Sequence, residues 1–309
     1  MNKSKALKIS LSIMLLILLI AAVGFEKYNT MKNPQQAFYK ELHQQEMDAI
    51  DKETIPKRNI INVLLLGVDS TEEREAKGSG YRSDAIMVVS MDLDTKQVKV
   101  LSIPRDSYTE VPGNDNKDKI NHAMAFGGGP RGKGNEYAVE AVEGLLGIPI
   151  HHYVTMDLDA VKDVVDIIGG ITIDVERSMG SGGRQLKKGK QKLDGQQALI
   201  YLSNRNASTG DFARIEQQQK FMLTLFQQTK EKGRFSDILP IYFKVQNKIF
   251  TNLNIEQIGA LALFLKDVES QNIEIFTLKG KNMIIDGIYY LDIDRDYMEE
   301  ILKEIFYRR

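Results

Sequence analysis

No cysteine occurs among the 309 residues, which excludes disulfide staples, thiolate metal sites and lipoprotein anchoring through a thioether. An excess of either charge is also missing: 41 Lys and Arg against 42 Asp and Glu leave a formal net charge of -1. Covering nucleic-acid backbone requires clustered cationic excess, so no nucleic-acid partner is expected. Histidine is scarce (His43, His122, His151, His152), and without an HExxH pattern a zinc hydrolase is not expected. His151 and His152 have no carboxylate at metal-ligand spacing and read as structural. Neither a serine–histidine pair nor a thiol offers an agent for covalent catalysis.

What is present begins with an apolar run from Ile9 to Phe25, preceded by Lys3, Lys5 and Lys8. Its length is at the low end for crossing a bilayer. The lysines put the N-terminus (residues 1–8) in the cytoplasm and everything after the run outside. Ala22-Val23-Gly24 leaves a cleaved signal peptide as the rival reading; Glu26-Lys27 as a charged stop favours an uncleaved signal anchor over 9–25. The expected location is therefore the cell membrane, with an extracytoplasmic domain. Residues 26–58 are polar, and Asn33-Pro34 can start a solvated helical stalk over Gln35 to Ala49, with a flexible tether as the alternative.

The domain is expected over residues 59–309. Ile60 to Gly67 is a continuous apolar run of strand length, the pattern of a strand covered on both faces, and Asp69 follows its end. Arg82-Ser83-Asp84 enters a second strand, Ala85 to Met91. Asp92 to Lys96 then turns the chain into a third strand, which Pro104 stops before Arg105 and Asp106. These last two strands run antiparallel, so the start of one and the end of the other share a sheet edge, bringing Asp84 and Arg105 together. Further on, strands and helices alternate as in a layered α/β domain. Gly127 to Lys133 fits G-x-x-x-x-G-K, but Gly134 replaces the metal-binding Ser or Thr and helix precedes it, so it reads as a loop. Leu186 to Leu193 reads as a basic turn, and Asp194 as N-cap of a helix to Leu202. Arg205 lies in a polar loop before Asp211 and Arg214, which open a long helix through Lys230. Helical stretches are expected at Ile238 to Phe250 and Ile255 to Val268, strands at Asn272 to Leu278 and Asn282 to Leu291, and a last helix at Asp296 to Tyr307.

Arg82, Arg105, Arg205 and Arg214 are thus candidate anion-binding cations, and Asp69, Asp84, Asp106 and Asp211 candidate carboxylates. Guanidinium forks bind phosphate oxygens bidentately, and paired carboxylates beside them suit magnesium. Direct phosphoryl transfer by positioning and charge neutralisation, with a carboxylate assisting an incoming hydroxyl, fits these residue types.

The ordered succession GVDS, YRSDAIMVVSMD, VLSIPRDSYTEVPG, DKINHAMAFGG, LLGIPIHHYVTMDL, IGGITIDV, LKKGKQKLDGQQALIYL and GDFARIEQQQ resembles the LytR–CpsA–Psr family over about Asn62 to Lys230, leaving residues 231–309 to complete the domain. The resemblance implies a layered α-β-α sandwich with a central mixed sheet, preceded by a transmembrane helix, in a Gram-positive-type envelope. It also implies a transferase that moves a polyprenyl-diphosphate-linked glycopolymer, of teichoic acid or capsular type, onto the muramic acid 6-hydroxyl of peptidoglycan. Asp69 and Asp84 would hold Mg2+ or Mn2+; Arg105, Arg205 and Arg214, with Arg82, would grip the diphosphate; Arg105, Asp106 and Asp211 would be catalytic. Ser70 and Ser203 stand where many members carry arginine, and each lost charged hydrogen bond weakens that grip by about 1–3 kcal/mol. A binding protein without the chemistry, or an envelope regulator of the same fold, is the alternative.

Overall fold

The computed structural model describes residues 24, 26–49, 59–68, 81–180, 185–204 and 210–306. Most of the apolar run 9–25 lies outside them, and none of the described helices is long and apolar enough to cross a membrane.

In chain order the strands are β1 (Ile60–Val68), β2 (Ser83–Asp92), β3 (Val98–Ser102), β4 (Tyr108–Thr109), β5 (Asp118–Lys119) and β6 (His152–Asp157). They continue with β7 (Ile171–Val175), β8 (Gly189–Leu193), β9 (Ile249–Thr251), β10 (Ile273–Thr277), β11 (Gly280–Ile285) and β12 (Ile288–Ile293). The helices are α1 (Pro34–Ala37), α2 (Tyr39–Ala49), α3 (Ala123–Phe126), α4 (Gly134–Leu146) and α5 (Leu158–Ile167). After them come α6 (Gly195–Ser203), α7 (Gly210–Glu231), α8 (Ile238–Val245), α9 (Ile255–Asp267) and α10 (Arg295–Phe306).

A mixed sheet of order β10-β3-β2-β1-β6-β9 forms the centre. β2 is antiparallel to β1 and β3, β9 is antiparallel to β6, and β1–β6 and β3–β10 are parallel. The C-terminal ends of β1, β3, β6 and β10 therefore share one edge with the start of β2. That edge is where ligands bind in open α/β sheets. Successive strand residues face opposite layers. Leu64, Leu66, Ile86, Val88 and Leu101 pack with Leu145 of α4 and Ile301 of α10. Ile61, Val63, Met87 and Val100 pack with Phe264 of α9, with Met222 and Phe226 of α7 against them. A third cluster closes the β7–β8 hairpin over α5, α6 and α7 through Ile171, Leu193 and Tyr201.

Several elements differ from the sequence reading. In place of a solvated stalk, the segment around α1 and α2 is docked on the domain: Phe38 is fully buried and Leu42 nearly so. Gln257 Nε2 donates to Glu41 Oε1 at 3.1 Å, and Lys27 pairs with Glu256 at 2.5 Å. Two apolar residues one turn apart make a stripe too narrow to stand out among polar neighbours. The basic stretch before Asp194 is strand β8, its Lys190 and Lys192 alternating outward while Leu193 is buried. Asp194 caps α6 as expected, its carboxylate accepting from Gln197 N–H at 2.8 Å. The helix expected to Phe250 stops at Val245, and Phe250 instead pairs with Thr155 in the sheet. The strand expected over Asn282 to Leu291 is a hairpin, folded at Asp286 (φ 51°) and Gly287 (φ 76°), both in the left-handed region that two-residue hairpin turns use.

Candidate active site

Asp84, Arg105, Asp106, Asp211 and Arg214 converge at the shared sheet edge. Asp84 begins β2, Arg105 and Asp106 follow β3, and the first turn of α7 supplies Asp211 and Arg214. Arg105 Nη1 donates a short hydrogen bond to Asp84 Oδ1, as the antiparallel reading of β2 and β3 requires. Its Nε lies 3.4 Å from Asp211 Oδ1 and 3.7 Å from Asp106 Oδ2. Arg214 Nη2 is 2.5 Å from Asp211 Oδ1, and Nη1 is 3.8 Å from Asp84 Oδ1. Glutamines fix the helix that carries Asp211 and Arg214: Gln219 Nε2 donates to Ser102 Oγ at 2.7 Å and to Thr277 Oγ1 at 2.8 Å, across two strand ends.

The cluster is largely out of water. Arg214 is only 5% exposed, and Arg105 Nε and Asp211 Oδ2 are buried with no hydrogen-bond partner among the described residues. Such atoms are costly unless a ligand completes them. Burial alone would lower the Arg105 pKa, but Asp84, then Asp211 and Asp106, outweigh it and raise it. Burial raises the Asp211 pKa above the ordinary carboxylate value, helped by Asp106 and Asp84 and opposed by Arg214 and Arg105.

Lys119, which the sequence reading passed over, is part of the cluster: its Nζ sits 2.8 Å from Asp106 Oδ1. It arrives on β5, a two-residue strand paired with β4, too short to register as periodicity. Arg82 is exposed and has no ion-pair partner among the described residues. Asp69 and Arg205 lie outside the described residues. Ser203 Oγ donates to Leu199 O at 2.6 Å, so its hydroxyl is engaged with its own helix.

Behind the charges the molecule is hollow. A cavity of about 350 Å³ is lined by Asp84 and Arg214 and by Leu65, Gly67, Val154 and Met222. Leu65, Val154 and Met222 also line a second cavity of about 430 Å³, walled by Val100, Phe226, Ile241 and Ile273. Gly67 allows a close approach, since a Cβ there would stand 3.1 Å from that of Ala85. Cavity-lining residues have the same apolar pattern as packed core, which is why the sequence gives no sign of the cavities.

Similarity to known proteins points the same way. The polyisoprenyl-teichoic acid–peptidoglycan teichoic acid transferase TagU of Bacillus subtilis is 31% identical over 257 residues, 82% of this chain and 80% of that protein. The protein of that name from Enterococcus faecalis is 27% identical over 294 residues, 95% of this chain and 93% of its own length. Among solved structures, B. subtilis TagV matches with a TM-score of 0.68 at 30% identity, covering 81% of this chain and 96% of that one. The structure described as TagT bound to LIIa-WTA matches with a TM-score of 0.65 at 28% identity, covering 80% of this chain and 89% of that one. The family model described as LytR_cpsA_psr matches residues 23–306, and with that match over nearly the whole chain the protein belongs to the LytR–CpsA–Psr family.

Proposed function

We propose that the protein is a transferase that moves an anionic glycopolymer of teichoic acid or capsular type from a polyprenyl diphosphate carrier onto peptidoglycan. The observation that carries this reading is the guanidinium cluster at the head of the apolar cavities, a site for a charged headgroup with a long hydrocarbon tail. The names of the relatives, which are teichoic acid transferases, support the same chemistry.

Arg105 and Arg214 hold the diphosphate oxygens through charge-assisted, forked hydrogen bonds, and Arg82 adds positive charge nearby. An acceptor hydroxyl oxygen bonds to the polymer-bearing phosphorus, and the bond from that phosphorus to the bridging oxygen breaks. The products are a phosphodiester between polymer and peptidoglycan, and polyprenyl monophosphate. The hydroxyl proton passes to Asp211, whose pKa, raised by burial, makes it a stronger base than an ordinary carboxylate. Asp106 orients Arg105 from the other side.

Among the described residues no group of three or more metal-capable side chains is gathered, so a divalent cation would rest on Asp84 and on residues outside them. Arg105, Arg214 and Lys119 are already balanced by Asp84, Asp106 and Asp211, so a diphosphate needs further positive charge. Asp84, together with Asp69, would hold Mg2+ or Mn2+ through hard carboxylate oxygens, supplying that charge to the diphosphate. With residues 9–25 as a membrane anchor, the domain faces the wall outside the cytoplasmic membrane, where both substrates lie.

A binding protein without turnover is the second reading, favoured by Ser203, whose hydroxyl is turned away into α6. The deciding experiment gives EDTA-treated protein a labelled polyprenyl-diphosphate glycan, with and without Mg2+. Metal-dependent release of polyprenyl phosphate, lost in Arg105→Ala, supports the transferase; saturable binding with no metal-dependent product supports the binder.

A further inference from the structure

We propose that the surface from Lys119 across Tyr289 is the acceptor subsite, where an uncharged amino-sugar chain lies and presents its hydroxyl to the diphosphate site. This rests on the transferase reading above.

The first observation is one of sides. The cavities line the sheet face that carries Leu65, Val89 and Val100, so the lipid leaving group lies in that layer. Lys119 and Tyr289 are carried by segments in which Ile120, the next residue, and Leu291, two residues on, are buried in the opposite layer. Phosphoryl transfer places attacking and leaving oxygens roughly in line. An acceptor must therefore approach from the side away from the tail, which is this one.

The second observation is attachment. The Leu291 N–H donates to the Asp106 carbonyl oxygen at 2.9 Å, fixing the β11–β12 hairpin to the loop that carries Arg105. Lys119 Nζ, held by Asp106, stands 5.9 Å from the Tyr289 ring centroid and 5.6 Å from that of Tyr290. Partial burial, then the carboxylates of Asp106 and Asp211, raise the Tyr289 pKa, so this phenol lies within the field of the catalytic acids.

The third is chemistry. Tyr289 is 39% exposed and pairs across the hairpin with Ile284, which is 72% exposed. Its hydroxyl donates to Asn282 Oδ1 at 2.9 Å, which holds the phenol in place. A sugar ring has apolar C–H faces that cover an aromatic ring and hydroxyls that need polar partners. A fixed tyrosine beside a neutralised Lys–Asp pair offers both, with no net charge to attract an anionic chain.

The test uses the full-length protein with a polyprenyl-diphosphate glycan donor and a soluble, uncrosslinked peptidoglycan oligosaccharide as acceptor. Tyr289→Ala is expected to raise the acceptor KM about tenfold or more while leaving the donor KM and the hydrolysis of donor by water unchanged, and Tyr289→Phe, which keeps the ring but loses the bond to Asn282, to raise it by a smaller factor. An unchanged acceptor KM in Tyr289→Ala overturns the proposal. So does an equal loss of transfer and of donor hydrolysis, which would assign Tyr289 to the donor side. A parent protein that cleaves the donor with neither water nor glycan instead removes the transferase reading itself.

Discussion

Leu64 of β1 is 0% exposed in a layer that α4 and α10 fill, whereas Leu65, next to it, faces two cavities of about 430 and 350 Å³. The same residue type in the same strand thus serves two purposes. On the filled side, dispersion contacts are complete and the layer stabilises the fold. On the hollow side, Leu65, Val89 and Val154 face open space and leave room for a hydrocarbon chain. A sheet edge between a rigid layer and a hollow one can hold a charged headgroup steadily while a long tail enters beneath it.

Breaking the filled side should have the largest effect. Leu64→Ala is expected to lose about 2–5 kcal/mol of stability, measured by denaturant unfolding, since the site is fully buried with no slack to collapse into. At the junction of the two layers, Arg105→Ala should keep the fold and lower transfer about 100-fold or more, read as kcat/KM, because the headgroup loses charged hydrogen bonds. On the hollow side, Leu65→Trp should fill cavity space and raise the donor KM about tenfold, with a smaller loss of stability than Leu64→Ala. A loss of stability as large as that of Leu64→Ala would mean that the two layers do not differ.

The pH profile gives the smallest expected shift. As pH falls through the folded-state pKa of Asp211, which lies above the ordinary carboxylate value, the carboxylate takes a proton and can no longer act as a base. The acid limb of kcat/KM should therefore sit at higher pH than for an ordinary carboxylate, and Asp211→Asn should abolish that limb along with most of the activity. Linkage has the matching sign. The raised folded-state pKa gives a stabilising contribution that is complete below the unfolded value and is lost as pH rises through the folded one.

The filled layer and the Asp84–Arg105 pair were both legible in the sequence. Continuous apolar runs marked the central strands, and the tight turn at Asp92 to Lys96 fixed their antiparallel order. The helix opening at Asp211 and Arg214 was legible too, and the fold brings it to the same edge. Long-range placement was not. Lys119 reaches Asp106 through a two-residue strand, and Tyr289 arrives on a hairpin whose Asp286-Gly287 turn is a two-residue hairpin signal that the sequence reading passed over. Nor could the cavities be read, since Leu65 and Leu64 look alike in a sequence and differ only in what the far-off helices α7, α8 and α9 leave uncovered. The docking of Phe38 was missed because Phe38 and Leu42, one turn apart among polar residues, give no sustained periodicity.

The most direct measurement is a crystal structure of the protein with a polyprenyl diphosphate soaked or co-purified. Phosphate oxygens within hydrogen-bond distance of Arg105 and Arg214, with the hydrocarbon running between Leu65, Met222 and Phe226, are the expected result. A headgroup bound elsewhere, or a tail lying outside those cavities, would contradict the account.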